Sequence, residues 1–177
     1  METATNNLEN DHVQILRLID VMEKLTRIPN PEVAHLEEVI FLIRNFADIF
    51  HHAKEEKMLF PMLIEKGFSP TQGPVGVMLA EHAEGRNFVK GMDENLSGYK
   101  QGDKKFLPAL VDNLKGYIDL LREHIGKENH VLFPMANKML TPDETQFLLG
   151  KIKEFTATSN FEDYANRLDK LAKIYDV

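Results

Sequence analysis

The chain has no cysteine. That absence excludes disulfides, thiolate metal sites, iron–sulfur clusters on its own thiolates and cysteine nucleophiles together. Any metal bound here must be held by histidine and carboxylate. A basic surplus is missing too: 28 acidic against 21 basic side chains leave a formal net charge of −7. That argues against nucleic acid as a partner, because a phosphate backbone has to be met by lysine and arginine. No apolar run nears the roughly 20 residues of a membrane span; the longest are pieces such as Val39-Ile40-Phe41-Leu42-Ile43. The opening METATNNLEND has neither a basic n-region nor an apolar h-region, so no secretory leader is expected and the expected localisation is cytoplasmic. Strand signals are also lacking, with no sustained period-two alternation and no Asn-Gly hairpin. What is present is an ordinary globular composition, 43% hydrophobic and 28% charged over 177 residues. That is enough for one domain with a sizeable core.

Helical periodicity runs along the whole chain. A first helix is expected from about Asn6 to Thr26, stopping before Ile28-Pro29-Asn30-Pro31. Asn30 as N-cap and Pro31 at the first helical position open a long second helix towards Lys66. A third helix follows the loop at 67–74 and runs to about Tyr99; after Gln101-Gly102-Asp103 a fourth ends near Leu140. Thr141-Pro142-Asp143-Glu144 supplies an N-cap and acidic first turn for a fifth helix, and Asn160 to Ile174 reads as a sixth. The expected fold is all-α, an up-down-up-down four-helix bundle over about 6–140 with two additional C-terminal helices over about 141–175, one domain spanning 1–177. Pro61 and Pro134 fall inside helices and should kink or break them.

An internal repeat carries the chemistry. His51-x-x-Lys54-Glu55-x-x-x-Leu59-Phe60-Pro61-Met62 recurs as His124-x-x-Lys127-Glu128-x-x-x-Leu132-Phe133-Pro134-Met135, a constant offset of 73 residues. A weaker echo joins Asp11-His12 to Glu81-His82. Each half of the chain thus offers a lone histidine and then a His-x-x-x-Glu pair, whose members share one helix face. Counted from the loops at ~1.5 Å per residue, all six residues fall within about 6 Å of one level of an antiparallel bundle. On the helical wheel His124 and Glu128 join the stripe of Leu114, Leu121 and Leu132, His12 lies with Leu8 and Ile19, and His82 with Met78 and Val89. The second helix offers His51/Glu55 or His52/Glu56. The Ile43, Ala47 and Phe50 stripe and the repeat both select His51 and Glu55 and leave His52 solvated.

Inward carboxylates need compensation, which a cation supplies. Imidazole and carboxylate without sulfur suit iron, manganese or zinc. Four histidines and two glutamates exceed one structural zinc, and two bridging carboxylates suit a pair of metals.

The segments 51–61 and 124–134, together with Gly73–His82 and Gly85-Arg86, resemble the hemerythrin-like family, the HHE cation-binding domain, over about residues 8–140. The resemblance implies a non-haem di-iron centre: two iron ions, oxo- or hydroxo- and carboxylate-bridged, with His12, His51, Glu55, His82, His124 and Glu128 as ligands. The oxygen-carrying members have a further histidine one turn after the third-helix histidine and an aspartate five residues after the fourth-helix one. This chain has Arg86 and Asn129 there, which is similar to the bacterial hemerythrin-like and iron-centre repair proteins. The implied function is binding or processing of a small oxidant, dioxygen, peroxide or nitric oxide. The alternatives are iron storage or donation, repair of iron centres, and a non-catalytic gas or redox sensor. Enzyme and binding protein both remain open. Arg86 either pairs with a carboxylate or steadies a bound anion, and Tyr117, two turns before His124, is core or a hydrogen-bond donor near the site. His35 and His130 are expected to be solvated, and Met58, Met62, Met135 and Met139 to fill core gaps.

Overall fold

A computed structural model describes residues 3–177; Met1 and Glu2, where the leader reading begins, lie outside the described residues. Among the described residues six long helices make the fold: α1 (Ala4–Leu25), α2 (33–65), α3 (Gly73–Lys100), α4 (107–139), α5 (Pro142–Ala157) and α6 (Phe161–Tyr175), with one 3-10 turn at Lys104–Phe106. Among the described residues there is no strand, and no helix is long and apolar enough to cross a membrane. α1–α4 form the expected up-down-up-down bundle, with the most extensive contact between α3 and α4, while α5 and α6 pack across α1 and α2.

Local chemistry explains most boundaries. Thr3 and Asn6 form a reciprocal capping box at the start of α1, as Thr141 and Glu144 do for α5. The expected start of α2 at Asn30-Pro31 is displaced, and the helix begins at Val33. Both capping groups are engaged elsewhere: Lys104 Nζ donates to Asn30 Oδ1 at 2.8 Å, and Tyr99 Oη donates to the Pro31 carbonyl at 3.1 Å.

Neither Pro61 nor Pro134 breaks its helix. The turn before each proline widens instead into a π-turn, over Glu55–Leu59 and Glu128–Leu132, in which the Phe60 N–H donates to the Glu55 carbonyl and the Phe133 N–H to that of Glu128. A third wide stretch, Ile43–His52, lies earlier in α2. Such turns advance the chain by roughly 80° per residue rather than 100° and cluster at functional sites.

The apolar residues form two separate blocks. One contains Ile15, Phe50, Met92 and Leu121; the other contains Leu8, Leu59, Met78 and Leu132. On every bundle helix the predicted site residues sit between a member of one block and a member of the other, so a polar layer divides the core. α5 adds Leu148 and Ile152 to one block and α6 adds Leu168 and Leu171 to the other. Burying each such side chain stabilises the fold by roughly 1.5–3 kcal/mol. Arg167 holds α6 to α2, donating in parallel to both Glu38 oxygens at 2.6 and 2.7 Å while lying over the Phe41 ring.

Met58 and Met62 pack against the core as expected, but Met135 and Met139 are exposed. The stripe at the end of α4 is carried by Phe133, Ala136 and Leu140, which turns both methionines outward over a depression beside Phe68 and Pro74.

The α2–α3 loop closes tightly on α3. A Cβ on Gly76 would lie 2.5 Å from the Thr71 carbonyl carbon, and backbone cannot yield as a side-chain tip can. Gly76→Ala is expected to lower stability by roughly 1–3 kcal/mol, read as a lower thermal midpoint; an unchanged midpoint would contradict the packing.

Candidate metal centre

All six predicted residues converge and are buried: His12, His51, Glu55, His82, His124 and Glu128 are each at most 1% exposed. His12 Nε2 and His51 Nε2 face one another at 2.9 Å, and His82 Nε2 and His124 Nε2 at 3.1 Å. The two glutamates lie among them. Glu55 Oε1 is 3.6 Å from His51 Nε2 and Oε2 is 3.4 Å from His82 Nε2; Glu128 Oε2 is 3.2 Å from His12 Nε2 and Oε1 is 3.3 Å from His124 Nε2. Each carboxylate therefore reaches one nitrogen of each pair.

The outer nitrogens set the tautomers. His51 Nδ1 donates to Asp11 Oδ2 at 3.2 Å, His124 Nδ1 to Glu81 Oε2 at 3.0 Å, His12 Nδ1 to Asn129 Oδ1 at 2.7 Å, and His82 Nδ1 to Glu56 Oε1 at 2.7 Å. A proton fixed on Nδ1 leaves the Nε2 lone pair inward, the arrangement of a metal-ligating histidine. Four Nε2 atoms thus face one another, and all four oxygens of Glu55 and Glu128 are buried with no hydrogen-bond partner. Orphaned buried acceptors at this density are costly, and a cation satisfies all of them. The donor set fits a pair of cations, with two groups of four residues each within ligand reach: His12, His51, Glu55 and Glu128, and His52, Glu55, His82 and His124.

The supports follow the internal repeat. Asp11 and Glu81, each just before a lone histidine, hold the pair histidine of the neighbouring helix. Lys54 and Lys127, three residues after the pair histidines, in turn donate to Asp11 and Glu81. Glu56 and Asn129, each just after a glutamate, hold the two lone histidines. Sequence reasoning missed these six, although the Asp11-His12 and Glu81-His82 echo was the visible signal.

It also misplaced His52, which is buried rather than solvated: its ring stacks on His82 with centroids 3.7 Å apart. The wheel assumed 100° per residue, and the π-stretch Ile43–His52 brings both His51 and His52 inward. His130 is exposed, whereas His35 is half-buried and bonded to the Tyr175 hydroxyl at 2.6 Å.

Arg86 proves to be paired. Its Nε and Nη2 donate to Asp48 at 2.9 and 2.7 Å, and Nη2 also donates to Glu56 at 2.7 Å. Tyr117 is buried, and burial with the Asp48 charge pushes its hydroxyl above its ordinary range. Both residues wall a cavity of about 210 Å³ that reaches His52 and His82.

Electrostatics in the metal-free chain reflect the crowding. Burial and the Glu128 charge push Glu55 well above its ordinary value. Glu128, despite burial, is held well below its own by His124 and His12. Burial drives His51 down to about 4 and also lowers His52 and His82. Burial opposes the charge on His124, but Glu128 and Glu81 raise it to about 9.

Between about pH 4 and the ordinary histidine value of 6.5, the unfolded chain binds a proton at His51 that the folded chain refuses, and the lowered pKa values of His52 and His82 act in the same direction, against the raised pKa of Glu55. Stability should therefore rise with pH there, by about 1.4 kcal/mol per net proton per pH unit. From 6.5 to about 9 the folded chain holds a proton on His124 that the unfolded chain releases, and the raised pKa of Glu55 acts in the same direction, so stability should fall. Urea denaturation of chelator-treated protein should find the maximum near pH 6.5; a flat profile would contradict this account.

Comparison with known proteins agrees with the geometry. The iron-sulfur cluster repair protein YtfE of Escherichia coli O157:H7 is 34% identical over 88 residues, 49% of this chain and 40% of that protein. The proteins of the same name from Escherichia coli SMS-3-5 and Escherichia fergusonii are 36% identical over 89 residues, with the same shares covered. The matched part thus spans about two fifths of the length of these relatives. No solved structure matches the chain. A family model, the Hemerythrin HHE cation binding domain, matches residues 3–136, the stretch that supplies every residue of the polar layer. The chain belongs to the hemerythrin HHE cation-binding family.

Proposed function

We propose that the chain is a single hemerythrin-like domain holding two iron ions, one between His12 and His51 and one between His82 and His124, with Glu55 and Glu128 shared, and that it binds or processes a small oxidant. The observation that carries this reading is the set of four orphaned carboxylate oxygens facing four inward Nε2 atoms. Bound iron supplies redox chemistry and an exchangeable position for a diatomic molecule or peroxide. The protein's own part is orientation and access. Asp11, Glu56, Glu81 and Asn129 lock the ring tautomers, and the two apolar blocks flank the layer. Arg86 acts through Glu56 on His82, and Tyr117 walls the cavity that gives small molecules a path inward.

A second reading, donation of iron in repair of iron centres, is favoured by the similarity to YtfE proteins. Elemental analysis after anaerobic iron loading should find close to two iron ions per chain; a single zinc that excess iron does not displace would overturn the reading. Dioxygen, peroxide or nitric oxide added to the reduced protein then separates the functions. A reversible spectral change indicates binding, rapid consumption indicates an enzyme, and loss of iron to a metal-depleted acceptor protein indicates repair.

A further inference from the structure

The cavity between α2 and α3 is larger than a diatomic gas or hydrogen peroxide needs. Its volume is about 210 Å³. One water takes up ~30 Å³ in the liquid, and dioxygen, nitric oxide and hydrogen peroxide are each about the size of a water or two. An apolar cavity of about 150 Å³ already admits benzene. The lining is ordered by depth. Arg44, Lys90 and Asp93 are exposed and form the rim, and Ile43, Gly85 and Val89 make an apolar wall. Tyr117, His52 and His82 are buried and close the inner end, beside the polar layer. Among the described residues no group makes a hydrogen bond to the Tyr117 hydroxyl, although the side chain is only 3% exposed. A hydroxyl so enclosed is expected to have a partner. The charges at the cavity are already paired: Arg44 with Asp93, Arg86 with Asp48 and Glu56, and Lys90 with Glu94 at 3.8 Å. An organic anion would find no free cation there, and at the inner end it would meet the Asp48 carboxylate.

We propose that this cavity seats a small uncharged organic molecule, an apolar body against Ile43 and Val89 with one oxygen head group that accepts from the Tyr117 hydroxyl. This rests on the oxidant reading above, under which the molecule is an organic hydroperoxide rather than hydrogen peroxide or a diatomic gas. Size excludes neither of the smaller molecules, but an apolar wall adds nothing to their binding, whereas each carbon it covers favours the larger one. Specificity then lies in two places. Ile43, Gly85 and Val89 select a hydrocarbon body, and Tyr117 selects its oxygen end and turns it towards His82.

The test uses the whole chain loaded with zinc(II), which is diamagnetic and exchanges no electrons, and follows the methyl resonances of Ile43 and Val89 by NMR. Three probes separate body from head. tert-Butyl hydroperoxide has both, pivalate has the same body with a charged head, and hydrogen peroxide has the head without the body. tert-Butyl hydroperoxide should shift both residues saturably and bind roughly tenfold or more tighter than hydrogen peroxide. Equal affinity for these two, or no saturable shift with any probe, overturns the proposal. Pivalate binding as tightly as the hydroperoxide overturns the uncharged class. Tyr117→Phe keeps the ring and should weaken the hydroperoxide by roughly three- to tenfold without affecting hydrogen peroxide; unaltered affinity overturns the role of the hydroxyl. Should that variant fail to fold, the three titrations of the unmutated chain decide. Tight binding to the zinc form with no spectral change on addition to the reduced iron form overturns the oxidant reading instead, and leaves an uncharged organic molecule as the occupant.

Discussion

Glu55→Met is expected to remove metal from the protein and, in the metal-free state, to make the fold more stable. Glu55 is fully buried, both oxygens lack a hydrogen-bond partner, and burial with the Glu128 charge pushes its pKa up. A carboxylate so placed is a burden on the metal-free fold that a cation lifts. Methionine has similar length, no polar atom and enough flexibility to fill the gap. It should raise metal-free stability by roughly 1–3 kcal/mol, the range for relieving an unsatisfied buried polar group. The same change takes away the carboxylate that reaches His51 and His82, so metal uptake should fall below two ions per chain. Thermal melts of chelator-treated wild type and variant, with elemental analysis of each, check both halves. A variant that melts lower without metal, or that still takes up two ions, would count against a ligand role for Glu55.

Asp11→Ala should be the most damaging change outside the six ligand candidates. The Asp11 carboxylate accepts from His51 Nδ1 and, at 2.7 Å, from Lys54 Nζ. Burial works against its charge, yet His51 and Lys54 hold its pKa below the ordinary value. Lys54 is fully buried and lies over the Phe50 ring. Without Asp11 its ammonium keeps only the Asn7 side-chain oxygen as a hydrogen-bond acceptor. Removing one partner of a buried ion pair costs about 3–5 kcal/mol. Metal affinity should also fall by roughly 10–100-fold, because the His51 ring loses the acceptor that fixes its tautomer. Adding Lys54→Met removes the stranded charge, so the double variant should regain most of the stability and none of the affinity. Equal melting of single and double variants would show that Lys54 does not depend on Asp11.

The sequence was most legible where two patterns coincide. The repeat and the helical stripes together led to the six converging residues and to the bundle with two added C-terminal helices, because alternating apolar faces and loop residues determine both. It was least legible where the helix departs from its ordinary pitch. In the π-stretch Ile43–His52 a wheel drawn at 100° per residue rotates out of phase, and that is why His52 was assigned to solvent. The wide turns themselves were hidden because proline signals a missing donor but not the way in which the backbone absorbs it. The start of α2 shifted because Asn30 and Pro31 are engaged by Lys104 and Tyr99, contacts between residues far apart in sequence. The pairing of Arg86 was readable only as an alternative, since Asp48 and Glu56 lie on another helix.

The polar layer that divides the core has a consequence for cooperativity. Two hydrophobic blocks, each packed against its own C-terminal helix, are joined in series through a plane of imidazoles and carboxylates whose mutual attraction depends on charge. A cation bound there works as a rivet between the blocks, tying four helices at one height. Its uptake should slow hydrogen exchange most at amides that open with this plane, those of 51–55 and 124–128, and least at amides deep within one block, such as Leu18 or Leu114. Rigidity is then expected to follow the occupancy of a site at the waist of the molecule more than the packing of either half.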